Sequence, residues 1–176
     1  LIEYSIAAAV RAVSETPVIV IGNAAELVQK QVGDRAVFAV QTERLGTAHA
    51  VLAAEKQIAA DTNLVLVTSA DMPLLTAETL KAIVAAQAAN SGPMTLLTVH
   101  SGNPRGFGRI LRGADDSVQA IVEEAQATPE QLKIDELNVG VYCFNNQWLW
   151  NALKQIKVSP KSEYYLTDVV EVAVKA

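Results

Sequence analysis

Short β-branched runs recur along the chain at intervals that leave room for one helix between them, and this rhythm narrows the architecture more than any other feature. PVIVIG (17–22), AVFAV (36–40) and LVLVT (64–68) carry almost no polar residue. Uninterrupted apolar runs of that length fit strands covered on both faces, as in parallel sheets. Helical spacing fills the intervals, through Leu27, Val28 and Val32 in the first and through Leu80, Ile83 and Val84 after residue 76. Thr76 suits an N-cap, and Glu78 suits the positive end of the helix dipole. The expected fold is α/β, a Rossmann-like mixed, mostly parallel sheet with helices on both faces.

Beyond residue 92 the texture changes. TLLTVHSGNP, GRILRG, SVQAIVEEA and ELNVGVYCFNN are strand candidates separated by Gly, Asn, Asp and Pro, which reads as a sheet extension built from hairpins. ATPEQLK predicts one small helix, with Thr128 as cap, Pro129 in the first turn and Gln131 completing a capping box. NQWLWNALKQI predicts a helix through Trp148, Leu149, Ala152 and Ile156, and LTDVVEVAVKA predicts another. The opening LIEYSIAAAV carries an apolar stripe of Ile2, Ile6 and Val10 that requires cover, from a missing segment or from a neighbour such as a second copy in a homo-oligomer. With no internal repeat or linker, residues 1–176 read as a single domain.

Composition removes several function classes. A chain of 176 residues with 51% hydrophobic content can fill one sizeable core, which argues against disorder. Its net charge of -5 offers no basic field for nucleic acid or for an anionic membrane surface. No apolar run approaches the roughly 18 residues of a membrane span. The one cysteine, Cys143, lies in an apolar run and reads as a buried thiol in a reducing cytoplasm.

In open α/β sheets ligands gather at the carboxyl ends of strands. Three segments fall there. QTERLGTAHAVLAA (41–54) places a Gly-Thr step where strand gives way to helix, either as an ordinary turn or to let main chain approach a ligand. SADMPLL sets Asp71 just past a strand, either as a turn or capping residue or as a hard oxygen ligand for Mg²⁺ that bridges phosphates. RGFGRI brings Gly106 and Gly108 together, either in a hairpin turn or to expose N–H groups to a ligand. His49 reads as a packing or capping residue more than as a titrating one.

Taken in order, QTERLGTAHAV, LVTSADMPLL, GFGRI, AIVEEAQATPEQ, ELNVGVYCF and EYYLTDVV resemble the uridylyltransferase domain of N-acetylglucosamine-1-phosphate uridylyltransferase. The resemblance runs from about residue 37 to the C-terminus. It implies a nucleotidyltransferase fold whose substrates are UTP and N-acetylglucosamine 1-phosphate and whose cofactor is Mg²⁺. Carried onto this sequence, it implies that Gln41 meets the uracil edge and that Gly46 and Thr47 border the base. Asp71 matches the metal ligand. Gly108 and Glu123 match sugar contacts, Asn138 a sugar or ribose contact, and Tyr164 and Thr167 are expected to shape the sugar side. No protein nucleophile is called for, in keeping with the lack of a Ser-His-Asp or Cys-His arrangement.

The departures are as specific as the matches. The family's opening strand and its glycine-rich loop have no counterpart, so the chain reads as N-terminally truncated relative to the family, with weak nucleotide binding expected of it in this form. Ala70 stands in place of a glycine, and Ala125 and Gln126 replace a Lys-Asp pair. The competing readings are a non-catalytic nucleotide- or sugar-binding relative, and a pyrophosphorylase for another sugar phosphate or nucleoside triphosphate. A nicotinamide-binding domain is disfavoured, because no Gly-x-Gly-x-x-Gly follows any strand.

Overall fold

A computed structural model describes residues 1–22, 25–58 and 60–175. Helix α1 (Ile2–Val13) leads into β1 (Val18–Ile21), α2 (Glu26–Val32) and β2 (Val37–Val40). Then follow α3 (Thr47–Ala53), β3 (Leu64–Val67), α4 (Ala77–Ala89) and β4 (Met94–His100). The hairpin β5 (Gly108–Arg112) and β6 (Val118–Val122) precedes the long β7 (Glu136–Asn145), and α5 (Asn146–Leu153) and α6 (Val169–Val174) close the chain.

Strands β1 and β2 pair in parallel, as their sequences predict. The larger sheet corrects the expectation of a mostly parallel arrangement. Among the described residues β3, β4 and β5 each pair antiparallel with β7, and β6 pairs antiparallel with β5. An apolar run signals burial on both faces and carries no information about strand direction, which the distant β7 decides. The same limit applies to β2, whose Val37 and Val40 are 45% and 55% exposed although the run is apolar throughout.

Helices do cover both faces. Tyr142 and Phe144 of β7 face a core built with Leu149 and Leu153 of α5 and with Val169 and Val170 of α6. The alternate residues Val141 and Cys143 face Leu80 and Ile83 of α4 and Ala8 of α1. Period-2 alternation therefore splits one strand between two cores. Burying each large aliphatic residue here contributes about 1.5–3 kcal/mol before entropy is counted. Cys143 is fully buried and its thiol is pushed up to about 11 by desolvation, so it is held as the neutral thiol.

Local signals hold where their partners are close in sequence. Thr76 accepts the Thr79 N–H at 3.2 Å and starts α4. The Thr128–Gln131 capping box forms in both directions, at 2.8 and 3.3 Å, yet it caps only a single 3-10 turn, Gln131–Lys133, and not an α-helix. The apolar stripe of α1 is largely covered by this chain itself: Ile6 is buried with Val32 and Ala36, Ile2 packs against them, and Val10 remains 40% exposed.

Strand β7 also shapes the site. Strand β4 runs along one edge of it, so β3 and β5 must share the other, β3 against 142–145 and β5 against 137–138. They leave a notch between them at Gly140, where φ is 75° and the Ser69 side chain lies close by. The chain leaving β3 toward Asp71 and the chain entering β5 at Gly108 both open onto this notch.

Candidate active site

The loop expected to border the base follows β2. Gln41 donates its main-chain N–H to Ile21 at 2.8 Å, which extends the parallel pairing by one step. Gly46 then takes φ 101° and ψ 179°, a region essentially reserved for glycine. The sequence suggested that the missing Cβ leaves room for a ligand. The structure gives a different reason: a Cβ at Gly46 would lie 2.5 Å from the Tyr164 carbonyl oxygen and 2.7 Å from its nitrogen.

Three hydrogen bonds complete this docking. Tyr164 N–H donates to Leu45 O at 2.7 Å, Ala48 N–H donates to Tyr164 O at 2.9 Å, and Leu166 N–H donates to Thr47 Oγ1 at 2.9 Å. The side-chain oxygen of Thr47 is thus engaged by the terminal segment. Gln41 turns inward, its Nε2 lying 3.0 Å from Gly46 O and 3.0 Å from His49 Nδ1.

From Leu166 the network passes to the residues expected on the sugar side. Thr167 is buried and donates its hydroxyl to Glu123 Oε1 at 2.9 Å, just past the end of β6. Asn138 stands opposite Gly108 in the β5–β7 register. Its Oδ1 accepts from Tyr142 Oη at 2.9 Å and from Gly140 N–H at 3.2 Å, so the oxygen end of the amide is engaged and the Nδ2 end is the donor it can still offer. Burial, opposed by the bond to Asn138 and reinforced by the Glu123 charge, pushes the Tyr142 phenol well above its ordinary range and keeps its proton in place. Gly108 owes its lack of a side chain to packing as well, since a Cβ would meet Ile121 Cγ2 at 3.0 Å.

Sequence reasoning missed a second anchor, Glu124. Its two oxygens accept from Gly106 N–H at 2.9 Å and from Arg109 Nη2 at 3.5 Å, so the Gly106 amide is spent inside the protein. Arg109 is 2% exposed and also donates Nη1 to the Phe107 carbonyl. The only sequence signal for it was an arginine at the second position of the strand GRILR.

Negative charge dominates the wall formed by Glu123, Asp168 and Glu171. Burial first, then Glu171 and Glu123, push the Asp168 carboxyl above its usual range. Among the described residues Glu123 has no cationic partner, so this wall favours neutral hydroxyl donors over phosphate. Asp71 stands apart from the network. It is exposed on the loop after β3, held from behind where Ser5 Oγ donates to Ala70 O at 3.1 Å. No group of three or more His, Cys, Asp or Glu suited to a metal occurs among the described residues. A lone exposed carboxylate beside an open notch still fits Mg²⁺, which keeps several waters and takes one or two carboxylates plus substrate phosphates.

The loop after β2 is thus fastened, through the 164–167 segment, to Glu123 just past β6, beside the split edge of the larger sheet. Residues 1–176 match the nucleotidyl transferase family, and the chain belongs to it. The chain is 42% identical over 178 residues to the bifunctional protein GlmU of Lactobacillus delbrueckii subsp. bulgaricus, covering 100% of this chain and 38% of that protein. It is 44% identical over 154 residues to the GlmU of Streptococcus agalactiae, covering 87% of this chain and 34% of the relative. It therefore spans little more than a third of the length of these relatives. Among solved structures, UDP-glucose pyrophosphorylase complexed with UDP-glucose superposes with a TM-score of 0.70 at 15% identity, covering 99% of this chain and 74% of the other. The apo form of UDP-glucose pyrophosphorylase gives 0.72 at 16% identity. At that identity the likeness establishes the shared fold. No described helix is long and apolar enough to cross a membrane.

Proposed function

We propose that this chain is the catalytic domain of a uridylyltransferase that converts UTP and N-acetylglucosamine 1-phosphate into UDP-N-acetylglucosamine and pyrophosphate. The observation that carries this reading is the frame in which Gln41 bonds Gly46 O, the 45–48 turn is hydrogen-bonded to Tyr164 and Leu166, and the next residue along the chain, Thr167, bonds Glu123. It holds a base-side loop and a sugar-side wall at a fixed separation. Family membership and the 42% identity to a GlmU protein support the same reaction.

In that reaction an oxygen of the sugar phosphate attacks the α-phosphorus of UTP, a new P–O bond forms, and the bond to the β-phosphate oxygen breaks to release pyrophosphate. No protein group bonds to phosphorus, and the protein aligns the reactants. Gln41 hydrogen-bonds the uracil edge, and the main chain at Gly46 and Thr47 borders the ring. Asn138 Nδ2 donates to the sugar while the free oxygen of Glu123 accepts from a hydroxyl, with Gly108 N–H alongside. Tyr164 and Thr167 form the far wall. Asp71 is the residue that would hold Mg²⁺, which when bound supplies charge neutralisation on the phosphates.

The test is pyrophosphate release by the full-length protein, with UTP, CTP and dTTP each paired with N-acetylglucosamine 1-phosphate and glucose 1-phosphate. UTP with the N-acetylated sugar is the expected best pair, and turnover should require Mg²⁺. Asp71→Asn should lower turnover about 100-fold or more without moving the unfolding midpoint. Release that is indifferent to Mg²⁺, or an unimpaired Asp71→Asn protein, would overturn the assignment.

A further inference from the structure

We propose that His49 is a specificity-determining positioning residue: it fixes the orientation of the Gln41 amide so that this side chain offers a nucleobase an acceptor and no donor. The inference rests on the nucleotide reading of the site given above and goes beyond it by naming what sets base choice. The argument starts from the two neighbours of Gln41 Nε2, Gly46 O and His49 Nδ1, each at 3.0 Å. A main-chain carbonyl can only accept, so the group beside it must be the NH₂ end of the amide. Gly46 O is itself immobile, because it also accepts the Ala50 N–H at 3.1 Å and because Gly46 is pressed against Tyr164.

One amide proton therefore goes to Gly46 O, and the second points at His49 Nδ1. That nitrogen must then accept, which assigns the imidazole as the neutral tautomer protonated on Nε2. Both N–H groups of Gln41 are spent inside the protein, and Oε1 is left facing away with its lone pairs free. A base whose ring nitrogen carries a hydrogen between two carbonyls, as uracil and thymine do, can donate to Oε1. Cytosine presents a lone pair at the same ring position and meets oxygen with oxygen. His49 supplies one of the two locks on this orientation. Without it Gln41 keeps a single internal acceptor, its unused N–H can swing toward the ligand, and the selection against cytosine weakens.

The experiment compares wild-type full-length protein with His49→Phe, which keeps ring volume but has no acceptor, and His49→Asn, which restores an oxygen near the Nδ1 position. The readout is the ratio of kcat/KM for UTP to that for CTP at a fixed concentration of sugar phosphate. His49→Phe should reduce the ratio about 5- to 10-fold, the factor that one lost hydrogen bond supplies, mainly through the KM for UTP, and His49→Asn should recover most of it. A His49→Phe protein that keeps the wild-type ratio, or a His49→Asn protein that falls as far as His49→Phe, overturns the proposal. A second arm needs no catalysis: ring ¹⁵N NMR of His49 should show Nδ1 unprotonated, and Gln41→Met should perturb that nitrogen selectively. A proton found on Nδ1 refutes the orientation argument. A wild-type protein with no preference for UTP, but with Nδ1 unprotonated, refutes the nucleotide reading instead.

Discussion

Replacing Gly46 by alanine tests the docking that holds the site together. The added Cβ would stand 2.5 Å from Tyr164 O and 2.7 Å from Tyr164 N, and both are main-chain atoms that cannot rotate away. Relief requires a change in the φ of 101° or a retreat of the 164–166 segment. Holding a non-glycine residue in that backbone region costs about 1–3 kcal/mol. Retreat sacrifices the two bonds between Tyr164 and the 45–48 turn, each worth about 0.5–1.5 kcal/mol net. The expected loss is about 2–6 kcal/mol, which for a domain of this size is on the order of 10 °C in Tm. Thermal unfolding followed by circular dichroism measures it, with Gly102→Ala as control, since a Cβ at Gly102 meets nothing within 4 Å. Displacing the 164–166 segment should also raise KM for both substrates, because Thr167 and Glu123 hang from it. A Gly46→Ala protein that melts with wild type would show that the turn does not bear on Tyr164 and would refute the reasoning.

Thr47→Val keeps the shape of the side chain but strands the Leu166 N–H, at a cost of about 1–3 kcal/mol, and steady-state kinetics should show KM rising more for the sugar phosphate than for UTP. Tyr142→Phe frees one of the two donors that fix Asn138, and KM for the sugar phosphate should rise about 5-fold with kcat little changed. The Arg112 guanidinium binds Glu136 through two bonds of 2.7 Å and holds its carboxyl below the usual glutamate range. Because the folded-state value is depressed, this stabilisation is complete above the unfolded value, about 4.3, and is lost as pH falls through the folded one. Urea midpoints measured between pH 7 and pH 3 should fall less steeply for Glu136→Gln than for wild type, from a lower starting stability.

Some of this was legible in the chain because the signal and its cause lie within a few residues. The Thr76 cap, the Thr128–Gln131 box and the 3.6-residue spacing of Leu80 and Ile83 all name partners one helical turn away. The six separated motifs likewise pointed to the family that the whole chain matches. What a short apolar run cannot specify is its neighbour, so β3 read as a parallel strand until β7 supplied an antiparallel partner. The capping box could not reveal that only one 3-10 turn would follow, because helix length depends on packing that the box does not see.

The site divides along the same line. The sequence by itself determined which residue types stand at the strand ends, including the carboxylate at Asp71, the amide at Gln41 and a glycine able to adopt a positive φ at Gly46. Tertiary structure alone decided their states: Gly46 answers to the main chain of Tyr164, Thr47 to Leu166, Asn138 to Tyr142 and Gln41 to His49. The physical reason is that a polar side chain can point several ways when alone. Only the donor or acceptor that folding brings against one end of it dictates what the other end presents to a ligand.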